Sequence, residues 1–426
     1  MLVGQPQHRE HARLVEADAP VQYLVPGEVE DLWHGRTLQG AKRIAGGEMN
    51  GWQAALIRRA ELRAKAGLAR ELRPRGPVGG MVDLAGNDYL GLSGHPEVIA
   101  AAQRALTEYG LGATGSRLVR GSTDAHHELE KELATWMGAE AALVYSSGYL
   151  ANLGAVRALV QPRTVLISDA HNHASLIDGC RISGAETVVT PHADVSAVSS
   201  ALASVEGRAA VVVTESIFSV DGDLAPLATL HAVVRQHGAL LLVDDAHALG
   251  VLGPDGAGGV AAAGIAGEPD VIVTATLSKS LGAAGGVVAG PAALARHLVD
   301  TGRTFIFDTA PPPAVVAGAL SALRLARSAD PLRSELRQRA DDAVRRLRAA
   351  GFEVSTPDGA VVSVTAPGPE EAVAWAAACR ERGVAVGCFR PPSTPDSRAR
   401  LRLTLNAGVP RVDFDRALEV IVECAP

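Results

Sequence analysis

The sequence predicts an α/β protein whose large domain is built on a mostly parallel sheet of about seven strands, followed by a smaller C-terminal α+β domain. Three observations lead to this prediction. Short β-branched runs recur through residues 141–289, helical stretches lie between most of them, and the pattern changes after the proline cluster at 310–314. Continuous apolar strands joined through helices are typical of a parallel sheet covered on both faces.

Seven runs predict the strands of the large sheet. They are residues 141–146, 165–168, 186–190, 209–214, 239–244, 271–275 and 286–289. One intervening helical pattern runs from Asp124 to Met137 and stops at Gly138, and another opens with Pro226 and closes on Gly238. Proline in the first turn and glycine just past the last turn are ordinary helix start and stop signals.

Four segments are predicted along the chain. Residues 1–48 are polar and show no sustained period, so we interpret them as a disordered extension or as the product of a start placed before a natural Met49. Residues 49–94 contain a helical pattern over 52–69, residues 95–310 form the large domain, and residues 311–426 form the small one. The small domain opens with long helices. Its strand-like runs are residues 361–365, 384–389 and 400–405.

Composition restricts the class of protein. The chain has 426 residues, of which 47% are hydrophobic and 20% charged, and a net charge of −7 without a basic run, which argues against nucleic-acid binding. The N-terminus has no apolar core of a secretory signal, and no stretch reaches the length of a membrane helix. The four cysteines have no CxxC spacing, which fits reduced thiols. These features predict a soluble cytoplasmic enzyme.

Chemistry-bearing residues follow the predicted strands, at the edge where ligands of open α/β sheets bind. The stretches are SSGYLAN (146–152), SDAHNHAS (168–175), ESIFSVDGD (215–223), VDDAHALGV (243–251) and TATLSKSLG (274–282). Only four lysines occur in the chain, and Lys279 is the one placed at a strand end. Its primary amine among hydroxyl neighbours indicates a Schiff-base lysine, and hence pyridoxal phosphate as the cofactor.

Two acid–base groups suit that cofactor. Asp244 can keep the pyridine nitrogen protonated, because a nearby carboxylate favours the charged form. His247, three residues further on, can contact the phenolic oxygen of the ring or the substrate.

A phosphate cradle is also predicted. Gly148 and Tyr149 stand where a helix begins and can offer backbone N–H groups, and Thr276 and Ser278 add hydroxyls.

Each of these signals has a simpler interpretation. A lysine near glycines is usually a surface-loop residue, and an aspartate at a strand end is often a helix cap. The stretches DDAH (244–247) and HNH (171–173) also suit a metal ion, but no third cluster completes a ligand set, so we predict no metal. The order of Gly-Tyr, His, Ser, Asp-x-x-His and Thr-x-x-Lys at successive strand ends is far more specific than any single match.

With these stretches, NDYLGLSGHP (87–96), GATGSRLVRGST (112–123), FIFDTA (305–310), VGCFRPP (386–392) and RLRLTL (400–405) make the sequence resemble the α-oxoamine synthases, which are fold-type I pyridoxal-phosphate enzymes. The resemblance covers about residues 52–424. It implies a fold-type I transferase and, by family analogy, a homodimer.

The resemblance implies a role for each matching residue. Lys279 would hold the cofactor, Asp244 would pair with its ring nitrogen, His247 would bond its ring oxygen, and His173 would stack on its face with Ser219 nearby. The phosphate-binding residues would be Gly148, Tyr149, Thr276 and Thr309, the last from a partner subunit. The substrate-binding residues would be Asn87, Arg402, Ser393 and Arg70, with Arg402 clamping a carboxylate.

The motifs favour the family member of biotin biosynthesis, which condenses L-alanine with pimeloyl-CoA or a pimeloyl carrier protein. Alternatives remain open: glycine C-acetyltransferase, 5-aminolevulinate synthase, serine palmitoyltransferase, an ordinary aminotransferase, and a non-catalytic protein of the same fold. Two departures from the family pattern affect acyl specificity. Ala69 stands where an arginine is common, with Arg70 and Arg73 close by. The loop after 392 usually continues through a Gly and a Thr in the family but reads STPDSRAR here, and we expect its Ser397 and Arg398 to change the acyl-chain pocket.

Overall fold

The computed structural model describes residues 51–76, 80–205 and 207–426. The chain divides into two compact units, Met1–Pro77 and Val78–Pro426. In the first unit, helix α1 spans Gly51–Lys65, so it ends four residues earlier than the predicted pattern over 52–69. The prediction for residues 1–48 lies outside the described residues.

The strands of the second unit follow the predicted runs to within about a residue at each end. They are β1 (Val82–Leu84), β2 (Ala141–Tyr145), β3 (Val165–Asp169), β4 (Glu186–Thr190), β5 (Ala210–Glu215), β6 (Leu240–Asp244), β7 (Val271–Thr276), β8 (Gly286–Gly290), β9 (Val361–Thr365), β10 (Val384–Phe389) and β11 (Arg400–Thr404). The exception is β1, which was not predicted.

Seven of these strands form the large sheet, in the order β2-β8-β7-β6-β5-β3-β4. Strands β3 to β7 run parallel to one another, and β8 is antiparallel to both of its neighbours. The predicted sheet of about seven mostly parallel strands is confirmed.

Helices connect the strands and cover the sheet. They are α2 (Pro96–Tyr109), α3 (Asp124–Met137), α4 (Gly148–Leu159), α5 (Ala174–Ser183), α6 (Val195–Ser204), α7 (Leu227–Gln236), α8 (Gly259–Ala262), α9 (Ala292–Thr301), α10 (Arg303–Ile306), α11 (Pro313–Arg327), α12 (Asp330–Ala349), α13 (Pro369–Glu381) and α14 (Arg411–Glu423). In the described parts of the chain, no helix is both long and apolar enough to cross a membrane.

Successive residues of the central strands belong to different hydrophobic clusters. Leu241 and Val243 pack into one cluster, whereas Leu242 between them packs into another. Side chains alternate across a strand, so the sheet is buried on both faces. This is why the central strands read as mostly apolar runs, with the carboxylates of Asp169, Glu215 and Asp244 at their last positions.

The smaller sheet has the order β1-β10-β11-β9. Strand β1 pairs in parallel with β10, although some 300 residues separate them (Val82 opposite Val384). Strand β11 lies between β10 and β9 and is antiparallel to both. The strand that carries Arg402, β11, is therefore an interior strand of this sheet, paired along both of its edges.

Candidate active site

The carboxyl edge of the large sheet gathers the groups that were predicted to carry the chemistry. Asp244 is the last residue of β6, Lys279 follows β7, and His173 follows β3 as the N-cap of α5. The charges of Asp244 and Arg402 act on both Lys279 and His173. Residues that are far apart in the sequence thus share one site.

The Asp244 carboxylate is held by hydrogen bonds at both of its oxygens. Asn152 Nδ2 donates to Oδ2 (2.7 Å), and the backbone N–H of Ala246 donates to Oδ1 (3.0 Å). Asn152 is fixed in turn, because Nδ2 also donates to Ser175 Oγ (2.8 Å) and its amide oxygen accepts the Thr274 hydroxyl. The carboxylate therefore has a fixed orientation, as a partner for a ring nitrogen requires.

The start of α4 lies against the hydroxyls that follow β7. Ser147 caps the helix by accepting from the Leu150 N–H (3.2 Å). The first-turn N–H groups of Gly148 and its successor have no partner within the helix. Thr276 Oγ1 and Ser278 Oγ lie 2.8 Å apart, and a Cβ on Gly148 would come within 3.0 Å of the Thr276 Cβ. Glycine at 148 therefore lets the positive end of the helix lie beside two hydroxyls, which suits a phosphate.

His247 is a buried and neutral imidazole. Its Nδ1 lies 2.5 Å from the Tyr89 hydroxyl. Burial, reinforced by the charges of Lys279 and Arg402, holds the pKa of His247 well below its usual range. Burial also raises the pKa of Tyr89, so its hydroxyl keeps its proton. When the Tyr89 hydroxyl donates to Nδ1, Nε2 carries the proton of the neutral ring and can donate it to an oxygen.

His173 is held at its backbone and at its ring. Its N–H donates to Glu215 Oε1 (2.6 Å), and its Nδ1 lies 2.7 Å from Ser175 Oγ. Burial lowers the pKa of His173, which favours the neutral ring that stacking on an aromatic cofactor calls for. Burial and then the charge of Asp244 raise the pKa of Glu215, the residue that ends β5, well above its usual range.

The Lys279 amine is tuned by its surroundings. Burial lowers the pKa of Lys279 to about 8, against the opposing effect of the Asp244 and Glu215 carboxylates. A lysine with this pKa has a much larger neutral fraction near pH 7 than an ordinary surface lysine. Since only the neutral amine is a nucleophile, Lys279 is suited to react with an aldehyde.

Arg402 brings a positive charge to the site from the small sheet. Nη1 donates to the Ser219 carbonyl (2.7 Å), Nη2 donates to Asn87 Oδ1 (2.8 Å), and the guanidinium lies 4.5 Å from the centroid of the Phe389 ring. Within the described residues no carboxylate forms an ion pair with Arg402, and its Nε has no hydrogen-bond partner. Burial lowers its pKa. A buried guanidinium with only neutral acceptors is completed by an anion.

For four other predicted residues, the structure gives a position but does not test the predicted role. Tyr149 is 42% exposed, and its hydroxyl donates to Asp178, which leaves its backbone N–H as the group that can face the site. Thr309 is exposed and forms an isolated bridge with Ser116. Ser393 is exposed between β10 and β11. Arg70 belongs to the first unit, and its role stays a prediction, as do those of the other three.

Three residues of the site were missed by the sequence analysis. Asn152, Glu215 and Tyr89 all lie inside stretches that were singled out, but none was given a role. A usable signal existed for Asn152, because it follows Gly148 by four residues on α4 and therefore lies on the same helix face. Among the described residues, no group of three or more His, Cys, Asp or Glu side chains could hold a metal ion.

The residues fit the pyridoxal phosphate that the resemblance implies. A reactive amine, a fixed carboxylate and a neutral imidazole lie at one end of the site, and the phosphate cradle made possible by Gly148 lies beside them. A side chain at Gly148 would press against Thr276 and obstruct that cradle.

Comparisons with known proteins agree with this geometry. The family model described as Aminotransferase class I and II matches residues 79–421. The curated 8-amino-7-oxononanoate synthase of Mycolicibacterium vanbaalenii is 53% identical to this chain over 361 residues, which cover 85% of this chain and 94% of the relative.

Solved structures show the same similarity. A high-resolution structure of SPT (serine palmitoyltransferase) with PLP internal aldimine has a TM-score of 0.78 and 34% identity, covering 81% of this chain and 87% of that one. The crystal structure of 8-amino-7-oxononanoate synthase from Francisella tularensis has a TM-score of 0.70 and 27% identity, covering 80% of this chain and 97% of that one.

Proposed function

The chain belongs to the class I and II aminotransferase family and, within it, to the 8-amino-7-oxononanoate synthases, and from that premise we propose the reaction that it catalyses. It condenses L-alanine with a pimeloyl thioester to form 8-amino-7-oxononanoate, the free thiol and carbon dioxide, a step of biotin biosynthesis. The enzyme is a pyridoxal-phosphate-dependent acyltransferase.

The observation that carries this function is the buried Arg402 guanidinium, which lacks a carboxylate partner among the described residues and whose charge acts on Lys279. An α-amino acid has a carboxylate and an amine on adjacent atoms. Arg402 and Asn87 can bind the carboxylate, which leaves the amine and Cα facing Lys279. Arginine suits this position because its planar fork matches a carboxylate with two hydrogen bonds.

Pyridoxal phosphate, when bound, supplies an aldehyde that combines with amines and a ring that withdraws electrons from Cα. Asp244 would keep a proton on the ring nitrogen of that cofactor, and Asn152 holds the Asp244 carboxylate in place by donating to its Oδ2. The Nζ of Lys279 takes up the proton of the alanine Cα and later returns one, since its pKa of about 8 lets it do both near neutral pH.

Arg402 also controls the order of events. By holding the alanine carboxylate through both Nη atoms, it directs the Cα proton toward Lys279 first. The carboxyl group is lost as carbon dioxide only after the acyl group has joined Cα, because a β-keto acid loses carbon dioxide readily. His247, with a proton on Nε2, can donate to a ring or acyl oxygen during these steps.

A homodimer and a cytoplasmic location are part of the proposal. Leu118, Val119 and Phe307 are 52%, 84% and 71% exposed, and they flank the bridge between Ser116 and Thr309. Exposed apolar side chains at one place favour a protein interface. We propose that a second copy of the chain packs on this surface and that Thr309 contributes to the partner's phosphate site, the role that the family resemblance implies.

The test is a substrate matrix with the purified full-length chain and pyridoxal phosphate. Alanine, glycine and serine are each combined with pimeloyl-CoA, acetyl-CoA and palmitoyl-CoA, and thiol release and products are measured by mass spectrometry. Alanine with pimeloyl-CoA is expected to be the fastest pair, and carboxyl-labelled alanine is expected to release labelled carbon dioxide.

Other outcomes identify the alternatives. Fastest turnover with glycine and acetyl-CoA, or with serine and palmitoyl-CoA, would assign the chain to another α-oxoamine synthase. Conversion of alanine to pyruvate without thiol release would indicate an aminotransferase. A Lys279→Arg variant, which keeps the charge but not the primary amine, is the matched control for background hydrolysis.

A further inference from the structure

A charged histidine outside the reaction site joins two segments that carry site residues. His192 lies between β4 and α6, and each of its ring nitrogens faces a carboxylate. Nδ1 lies 3.1 Å from Asp169 Oδ1, and Nε2 lies 2.8 Å from Asp223 Oδ2. Since both neighbours are acceptors, both ring nitrogens donate, and the ring is an imidazolium.

The first carboxylate fixes the segment that leads to His173. Asp169 ends β3, and its Oδ1 accepts from the backbone N–H of His171 (2.7 Å) as well as from His192. Its Oδ2 accepts from the N–H of Ala193, next to His192 (2.7 Å). The rings of His171 and His192 stack with their centroids 3.9 Å apart. Two residues beyond His171 comes His173, which was predicted to stack on the cofactor.

The second carboxylate fixes a turn that receives Arg402. The carbonyl of Asp223 accepts from the N–H of Phe218 (3.0 Å), and the Phe218 ring packs edge-on against His192 with a centroid distance of 4.3 Å. The next residue is Ser219, whose carbonyl accepts from Arg402 Nη1 (2.7 Å). His192 thus contacts Phe218 and Asp223, which lie on either side of Ser219, the residue whose carbonyl accepts from Arg402.

The charges around His192 explain why the proton matters. The groups that face it are Asp169 from β3, Asp223 from the turn and the stacked His171, while Asp221 of the same turn acts on His171. Burial lowers the pKa of His171, and the positive charge of His192 lowers it further, so one ring of the stacked pair is neutral. Removing the proton of His192 would leave two carboxylates with one donor between them.

We infer that His192 is a positioning residue for the amino-acid substrate: as an imidazolium it ties the His171–His173 segment to the turn containing Phe218, Ser219 and Asp223. It thereby sets the place of the Ser219 carbonyl, and through it the guanidinium of Arg402. The inference rests on the proposed function in one respect, namely that Arg402 binds the carboxylate of alanine.

Kinetics of the holoenzyme provide the first test. His192→Gln removes the charge and one of the two donors, so the KM for alanine is expected to rise about 10-fold, with kcat within about 3-fold of wild type, as loss of roughly one hydrogen bond to a charged group predicts. The matched control is His237→Gln, a change of the same type at an exposed position after α7. It is expected to leave both constants unchanged.

Thermal unfolding as a function of pH tests the charge without relying on activity. Burial lowers the pKa of His192, but the hydrogen bonds to Asp169 and Asp223 outweigh this and raise it to about 9. Because the folded-state pKa lies above the ordinary value of about 6.5, the stabilisation is complete below that pH and is lost as pH rises through about 9. The difference in melting temperature between wild type and His192→Gln is therefore expected to shrink over this range.

The outcomes separate the two proposals. If no acyl thioester is turned over, the proposed function fails. The pH dependence of the melting temperatures still decides whether the positive charge of His192 holds the two segments together. An unchanged KM for alanine in His192→Gln, or a melting difference that does not depend on pH, overturns the inference. If His192→Gln does not fold, Asp223→Asn takes its place, since it removes one of the two negative charges that face His192 and keeps an amide oxygen that can accept from Nε2, and the same criteria apply to it.

Discussion

Two arginines on one strand have opposite surroundings. Arg400 and Arg402 lie two residues apart on β11 and are 3% and 6% exposed. Arg400 donates from Nη1 to both oxygens of Asp221 (2.9 and 2.8 Å) and from Nη2 to Asp396. Arg402, in contrast, donates to neutral oxygens only, as far as the described residues show, among them the Ser219 carbonyl (2.7 Å).

The difference shows how to tell a structural arginine from a substrate-binding one. Both side chains point to the same face of the sheet, because residues i and i+2 of a strand do so. Arg400 is already neutralised by its own chain and joins the turn at Asp221 to the loop at Asp396. Arg402 has a buried charge that the described residues leave uncompensated, so its counter-ion is expected to arrive with the substrate. Burial alone would not have separated the two.

The contrast between Arg400 and Arg402 matters for catalysis only if the anion that binds at Arg402 lies next to Lys279. Lys279→Arg retains a positive charge but removes the primary amine, so turnover is expected to fall by about 10⁴-fold. The absorbance band of the lysine-bound cofactor is expected to disappear with it. Both are measured on protein purified with pyridoxal phosphate. Residual turnover above one hundredth of wild type would show that another group moves the Cα proton.

Arg402→Gln tests the substrate-binding half of the comparison. The value of kcat/KM for alanine is expected to fall by about 10²-fold, as loss of charge-assisted hydrogen bonds to a carboxylate predicts. The free energy of unfolding is expected to stay the same or rise, because the change removes an uncompensated buried charge. Steady-state kinetics and urea denaturation measure the two effects. A less stable variant with an unchanged KM would assign Arg402 to structure.

Arg400→Gln tests the structural arginine. In contrast to Arg402→Gln, it is expected to lower the free energy of unfolding. It leaves Asp221 and Asp396 without their partner, which would cost 3–5 kcal/mol in a fully buried pair. The side chains of Asp221 and Asp396 are 34% and 36% exposed, so water screens part of the loss, and we expect about 2 kcal/mol. Urea denaturation measures it.

The control for that variant is Arg398→Gln. Arg398 also pairs with a carboxylate, Glu353, but both side chains are about half exposed or more (48% and 63%). Such a pair contributes at most about 1 kcal/mol. Equal losses from the two variants would mean that burial of Arg400 does not matter, and the contrast with Arg402 would then lose its basis.

The sequence predicted the large sheet well, because its central strands β3, β5, β6 and β7 are buried on both faces and are mostly apolar. It did not predict β1, whose three residues read as Val-Asp-Leu and which is stabilised by pairing with β10, some 300 residues away. Three-residue strands have no detectable period of their own.

The site was predicted in part for the same physical reason. Lys279, Asp244 and His173 follow strands directly, so their clustering follows from topology alone. Asn152 and His192 act through contacts with carboxylates on other elements, and neither contact leaves a local pattern. The distinction between Arg400 and Arg402 likewise depends on which acceptors the fold brings to each.

The smallest expected effect is that of the Arg402 charge on the pKa of Lys279. Burial lowers the pKa of Lys279 to about 8, and the charge of Arg402 contributes to that lowering against Asp244 and Glu215. Only the neutral amine attacks the cofactor aldehyde, so the rate at which cofactor-free protein binds pyridoxal phosphate is expected to rise with pH and to level off above about 8.

In Arg402→Gln one positive charge near Lys279 is gone, so the ammonium form of Lys279 is less destabilised. The midpoint of the pH dependence is therefore expected to move upward by a few tenths of a pH unit. Arg398→Gln, whose charge lies in an exposed ion pair, is expected to leave the midpoint where it is. A downward shift in Arg402→Gln would mean that Arg402 does not act on Lys279 as a free positive charge, and the contrast with Arg400 would have to be explained by geometry alone.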